Sequence, residues 1–199
     1  TGIKTLDLFA PISKGGTVGL VARPGMGQLV VLAEMLCRLK REGYVTILIK
    51  PKGDHPELSD ILQDVDFVTN NFEETEKIMQ REGVEKDYAL TADRSYVISG
   101  EMFTLQESFD DKGVSSVTTF LIDLKGEAVD EDLPFGPLDT LWQFDADLAA
   151  RHKYPAINPI YSTSSILEGS YLDPVHHSIQ QRAQKLLRRY RELRAIVNV

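Results

Sequence analysis

The chain has 199 residues, 42% of them hydrophobic and 26% charged, which suits a folded domain with one sizeable core. No run approaches the ~18 consecutive apolar residues of a membrane-spanning helix, so direct membrane insertion is excluded, and a net charge of −8 argues against a general nucleic-acid-binding surface. The single cysteine, Cys37, excludes an internal disulfide and fits a reducing compartment, on the cytoplasmic side or in an organelle matrix.

No targeting segment is legible, and the chain begins at Thr1 without an initiator methionine, as an excised domain would. The charge is unevenly spread: residues 151–199 carry eight Lys/Arg against three Asp/Glu, and the remainder carries 14 against 27. The basic end reads as a solvated helix face or as a surface for an acidic partner.

Thr17 to Ala22 (TVGLVA) is short, apolar and β-branched, the pattern of a buried strand. Gly25 and Gly27 interrupt it. Leu29 to Lys40 then places Leu29, Leu32, Ala33, Leu36 and Leu39 at helical spacing, with Cys37 as a core thiol and Gly43 closing the helix. Val45 to Ile49 (VTILI) is a second buried strand. Strand, glycine loop, helix and strand make a βαβ unit, the signature of a parallel α/β sheet.

Glu57 to Gln63 reads as a short helix, Asp66 to Thr69 as a strand and Phe72 to Glu82 as a helix. Tyr88 to Asp93 has no decisive pattern. Gly100 to Phe109 is helical in pattern, and Val117 to Ile122 (VTTFLI) is the strongest strand signal, running straight into Asp123. Lys125 to Pro137 is acidic and reads as an exposed loop, and Leu138 to Arg151 as a helix. Asp173-Pro174 opens a long final helix with an apolar stripe of Val175, Ile179, Ala183, Leu186, Leu187, Tyr190, Leu193 and Val197. With no repeat or flexible linker, residues 1–199 read as one domain.

The stretch VARPGMGQLV, residues 21–30, sits where a phosphate loop would lie. Such a loop reads G-x-x-x-x-G-K-[ST]: glycines let backbone N–H groups approach phosphates, the lysine adds positive charge and the hydroxyl ligates Mg²⁺. Here the first glycine is Ala22, the lysine position is Gln28 and the hydroxyl position is Leu29. Candidate nucleotide-binding residues are therefore Arg23, Pro24, Gly25, Met26, Gly27, Gln28 and Leu29. Asp123, at the end of an apolar strand, is the candidate metal residue. Glu127, Asp130, Glu131 and Asp132 add carboxylates nearby, a pattern that also suits a solvated loop. His176 and His177 are adjacent on a helix, face different directions and make poor joint ligands. His55 and His152 are isolated.

The flanks carry a resemblance. TGIKTLDLFAPISKGGTVGL, residues 1–20, closely resembles the segment leading into the phosphate loop of the rotary ATP synthase β subunit. FLID (residues 120–123), KYPAINPIYSTSSI (153–166) and YLDPVHHSIQQRAQKLLRRYRELRAIV (171–197) are similar to later segments of that family, in the same order, whereas residues 50–100 match poorly. The resemblance implies a RecA-like P-loop NTPase fold, a mostly parallel sheet flanked by helices, without the family's N-terminal β-barrel and C-terminal helical domain. It implies ATP or ADP with Mg²⁺ as ligand, Tyr154 as the residue stacking on adenine, and homologous or paralogous α/β-type subunits as partners. The family's lysine and threonine are replaced by Gln28 and Leu29. Its catalytic Glu has no counterpart within residues 50–60, where Asp54 and Glu57 are out of register. Its intersubunit Arg falls on Ser165. Since phosphoryl transfer depends on charge and positioning, the expectation is a catalytically inactive domain with no catalytic residue, serving in a ring or complex. A non-catalytic ATP/ADP-binding module and an ATPase completed by a partner are the alternatives.

Overall fold

The computed structural model describes residues 1–130, 135–169 and 172–197. A short helix α1 (Lys4–Phe9) precedes β1 (Thr17–Val21), α2 (Gln28–Arg41) and β2 (Val45–Ile49). Then come α3 (Ser59–Asp64), β3 (Phe67–Thr69), α4 (Phe72–Glu82), β4 (Asp87–Asp93), α5 (Ser95–Ile98), α6 (Glu101–Asp111) and β5 (Ser116–Ile122). The chain continues through α7 (Glu127–Asp130), β6 (Thr140–Gln143), α8 (Ala146–Ala150), β7 (Thr163–Ser164) and the long α9 (Pro174–Val197).

The seven strands form one sheet in the order β3-β2-β4-β5-β1-β6-β7. All neighbours are parallel except β6 and β7. The central strands are apolar along both faces because both faces are covered. On one face Leu6, Leu20, Leu32, Leu36, Phe120 and Trp142 are buried together. On the other, Met79, Tyr88, Leu90, Leu105, Phe109 and Leu121 form a second cluster. Each such side chain contributes about 1.5–3 kcal/mol when fully buried.

Several sequence expectations change. Tyr88 to Asp93, without a decisive pattern, lies in β4, a central strand paired with both β2 and β5. Leu138 to Arg151 is not one helix: Thr140–Gln143 is strand β6, and only Ala146–Ala150 is helical. Pairing to β1 overrides the local pattern, with Val18 opposite Thr140 and Leu20 opposite Trp142. Trp142 also donates from Nε1 to the Ala10 carbonyl at 2.9 Å, tying β6 to the end of α1. The loop expected over Lys125 to Pro137 contains helix α7, and Glu131 and Asp132 lie outside the described residues. Cys37 is half-buried rather than in the core.

Helix α9 forms where Asp173-Pro174 predicts it. Its stripe does not pack: Val175, Ile179, Leu186, Tyr190, Leu193 and Val197 are exposed, and Gln180 is its buried residue. It is held to the body by other contacts, among them Gln184 Nε2 to the Ile160 carbonyl at 3.4 Å and the Arg191 guanidinium 4.9 Å over the Tyr161 ring.

Candidate functional site

The loop between β1 and α2 forms because its two glycines take backbone conformations that other residues resist. Gly25 and Gly27 have φ of +82° and +84°, and an added Cβ at either would meet nothing within 4 Å. The Met26 N–H bonds the Arg23 carbonyl at 3.4 Å, and α2 starts with Gly27 at its N-cap. Arg23, Pro24 and Gly25 are exposed, Met26, Gly27 and Leu29 are half-buried, and Gln28 is only 4% exposed. The Arg23 N–H is also used within the loop, bonding Met26 Sδ at 3.3 Å.

The charge around the loop is committed elsewhere. Arg23 Nε lies 2.6 Å from Asp130 Oδ1, drawing the cation of this stretch toward α7. The turn between β5 and α7 packs on the loop's first half: a Cβ on Gly126, whose φ is +76°, would stand 2.9 Å from Pro24 Cδ and 3.3 Å from Arg23 Cα. Glycine there permits the close approach.

Asp123 directly follows β5, which pairs with β1, and its carboxylate accepts two backbone hydrogen bonds. Oδ1 accepts from the Gly126 N–H at 3.0 Å and Oδ2 from the Ala128 N–H at 2.6 Å, with the residue 5% exposed. The two bonds hold the turn that leads into α7. Among the described residues no group of three or more His, Cys, Asp or Glu is arranged to hold a metal.

Tyr154 is 58% exposed. Its hydroxyl pKa is raised, first by partial burial and then by the nearby Glu34 carboxylate, with Arg38 opposing. Those neighbours place it beside the middle of α2, roughly 9 Å along the helix from Gln28 at ~1.5 Å per residue. The Ser162 to Ser165 tetrad serves the sheet edge: Ser162 Oγ accepts from the Gln143 N–H at 3.0 Å and Ser164 Oγ donates to the Pro11 carbonyl at 2.6 Å. Ser165 opens a short 3₁₀ turn.

At the crest of β2, β4 and β5, Lys52, Asp93 and Arg94, which the sequence reading did not single out, join His55, Asp123 and Glu127 in lining a cleft of about 170 Å³. His55 Nδ1 lies 3.0 Å from Glu57 Oε1, which raises the imidazole pKa, while its Nε2 faces the Lys52 carbonyl at 3.3 Å. Asp93 Oδ1 accepts from the Ser95 N–H at 2.9 Å. Arg94 is buried, with its N–H bonded to the Ile122 carbonyl at 2.7 Å and its guanidinium 5.9 Å over the Phe135 ring. The signal for Asp93 and Arg94 was their place directly after a strand, lost because β4 itself was not legible. Asp54 and Glu57 are both exposed, and the Glu57 carboxylate is paired with His55.

Two solved structures match along the whole chain. The assembled ATPase EscN, solved with its central stalk EscO from the type III secretion system of enteropathogenic E. coli, gives a TM-score of 0.70 at 15% identity. The ATP synthase subunit NeqB from Nanoarcheaum equitans gives 0.75 at 14% identity. The fold is of the RecA-like ATPase type. The match covers 100% of this chain but 58% and 63% of those two, so the chain spans about three-fifths of their length. No family model matches the sequence. Among the described residues, no helix is long and apolar enough to cross a membrane.

Proposed function

We propose that this ATPase-type domain is a catalytically inactive counterpart of an ATP synthase β subunit, with a structural or regulatory role among homologous or paralogous α/β-type subunits in a ring or complex. The observation that carries this reading is the state of Asp123. The carboxylate that would order a metal's water shell is buried and already accepts from two backbone N–H groups, of Gly126 and of Ala128 in α7. In the loop sequence the lysine and hydroxyl positions are Gln28 and Leu29, which can neither neutralise a terminal phosphate nor ligate Mg²⁺. Hydrolysis loses its electrostatic basis at several points at once.

Calorimetric titration with ATP and ADP, with and without Mg²⁺, tests this reading. Wild type is expected to show no Mg²⁺-dependent binding and no turnover. Micromolar, Mg²⁺-dependent binding overturns it.

A second reading is favoured by the exposed amides of the loop. Gly25 and Gly27 leave open space over the start of a 14-residue helix, which supports a non-catalytic ATP or ADP site with Tyr154 near the base. It predicts Mg²⁺-independent binding in the same titration. An ATPase completed by a partner remains a third reading, and it requires the partner to supply every missing charge.

A further inference from the structure

The loop after β2 carries a histidine whose two ring nitrogens both face acceptors. His55 Nδ1 lies 3.0 Å from Glu57 Oε1, and Nε2 lies 3.3 Å from the Lys52 carbonyl oxygen. A neutral imidazole has one N–H and cannot donate to both, whereas the imidazolium has two. The surroundings therefore match the charged ring alone. When the ring loses a proton it keeps the N–H on Nδ1, since a lone pair there would face the Glu57 carboxylate. The bond that opens is the one from Nε2 to Lys52.

That bond holds a short span between two anchors. Upstream, the Lys50 N–H bonds the Thr69 carbonyl at 2.8 Å, the Lys50 carbonyl accepts from the Tyr96 hydroxyl at 2.7 Å, and Pro51 is buried. Downstream, Leu58 is buried and its N–H bonds the His55 carbonyl at 3.1 Å. Between the anchors Lys52, Gly53 and Asp54 are exposed. Among the described residues, what ties this span is the His55 ring and the Lys52 ammonium, 3.9 Å from Glu101 Oε1 in a solvent-exposed contact that adds little.

The span forms one rim of the crest cleft, where Lys52 and His55 face residues that follow β4 and β5. The chain leaves β2 for the face of α3 and β4 for the face of α6, and a crevice at such a divergence is where open α/β sheets take ligands. Several charges face the ring across it. Asp93 favours the imidazolium. Arg94 and Lys125 stand 4.0 and 3.6 Å from the Glu127 carboxylate, and Asp123 accepts from two N–H groups, so these four are largely met among themselves. The imidazole pKa is raised, first by the Glu57 hydrogen bond, with partial burial opposing and the Lys52 bond adding.

We propose that His55 is a pH-operated clasp: the imidazolium bridges Glu57 and the Lys52 carbonyl and holds residues 52–54 at the rim of the crest cleft, and loss of the Nε2 proton to solvent frees that span and opens the cleft. This goes beyond the subunit role proposed above and stands whatever the phosphate loop binds.

NMR on the 199-residue chain tests it. In a titration from about pH 5 to 9 the His55 ring is expected to have its midpoint above the ordinary ~6.5. The amide order parameters of Gly53 and Asp54 should stay near about 0.85 below that midpoint and fall below about 0.6 above it, while those of Val45–Ile49 do not change. Glu57→Gln should carry the ring titration and the loop transition to lower pH together. His55→Ala should leave the span mobile at every pH with an unaltered circular dichroism spectrum, since His55 lies in a loop. Four results overturn the proposal: a ring midpoint at or below about 6.5, equal order parameters on both sides of the midpoint, a loop transition that survives in His55→Ala, or a span that stays rigid in His55→Ala throughout.

Discussion

Arg23 Nε and Asp130 Oδ1 lie 2.6 Å apart, tying the start of the phosphate-loop segment to the last residue of α7. Both side chains are more than half exposed, so the pair adds only about 0–1 kcal/mol to stability. Its effect is on where the charge points. Asp130→Asn should leave the melting temperature almost unchanged. It should strengthen tripolyphosphate binding by up to about fivefold in calorimetry at low salt, because Arg23 is released toward the loop. Unchanged or weaker binding would mean that Arg23 has no bearing on the loop.

Asp123→Ala should destabilise the domain by about 2–4 kcal/mol, since two buried N–H groups lose a charged acceptor. Urea unfolding followed by Trp142 fluorescence measures it. A loss below about 0.5 kcal/mol would show that Asp123 does not hold the turn into α7.

Gln28→Lys/Leu29→Thr should restore phosphate affinity without restoring Mg²⁺ dependence, because Asp123 remains bonded to the turn into α7. At 100 times its dissociation constant, ATP should raise the stability of the double variant by roughly 2.7 kcal/mol. Equal shifts with and without Mg²⁺ are the expected outcome, and a shift seen with Mg²⁺ alone contradicts it.

Thr91, in the middle of β4, buries a hydroxyl that has no hydrogen-bond partner among the described residues. Thr91→Val keeps the shape and removes the unsatisfied group. It should stabilise the domain by about 1 kcal/mol, read as a higher urea midpoint at unchanged slope.

His55 links the crest loop to pH. Its pKa is raised, chiefly by the hydrogen bond to Glu57. The folded state therefore holds the proton more tightly than the unfolded state. The stabilisation is complete below about pH 6.5, the unfolded value, and disappears as pH rises through the folded one. His55→Gln should flatten stability against pH across that window, and a profile identical to wild type would remove His55 from the account.

The βαβ start of the fold was legible because each element repeats one period cleanly. Val45–Ile49 is five apolar or β-branched residues, and α2 carries its buried Val31, Leu32, Met35 and Leu36 on one face. β6 was not legible because Leu141 and Trp142 owe their strand state to β1, far away in sequence. The stripe of α9 was legible as a stripe, and periodicity records which residues share a face and not what lies opposite. At the site, sequence placed Gly25, Gly27 and Asp123 beside one another. It could not reveal that Asp123 bonds the turn into α7, since the donors are the backbone N–H groups of Gly126 and Ala128, which no residue code distinguishes.

That pair of bonds also sets the direction in which this domain can change. On the reading proposed above, supplying a lysine and a threonine takes two substitutions at the start of α2, at buried Gln28 and half-buried Leu29. Recovering the metal carboxylate requires Asp123 to abandon the turn into α7 first, so another residue must take over its bonds before the old role is open again. Any stepwise path toward hydrolysis must therefore cross a less stable intermediate, and the order of steps matters more than their number.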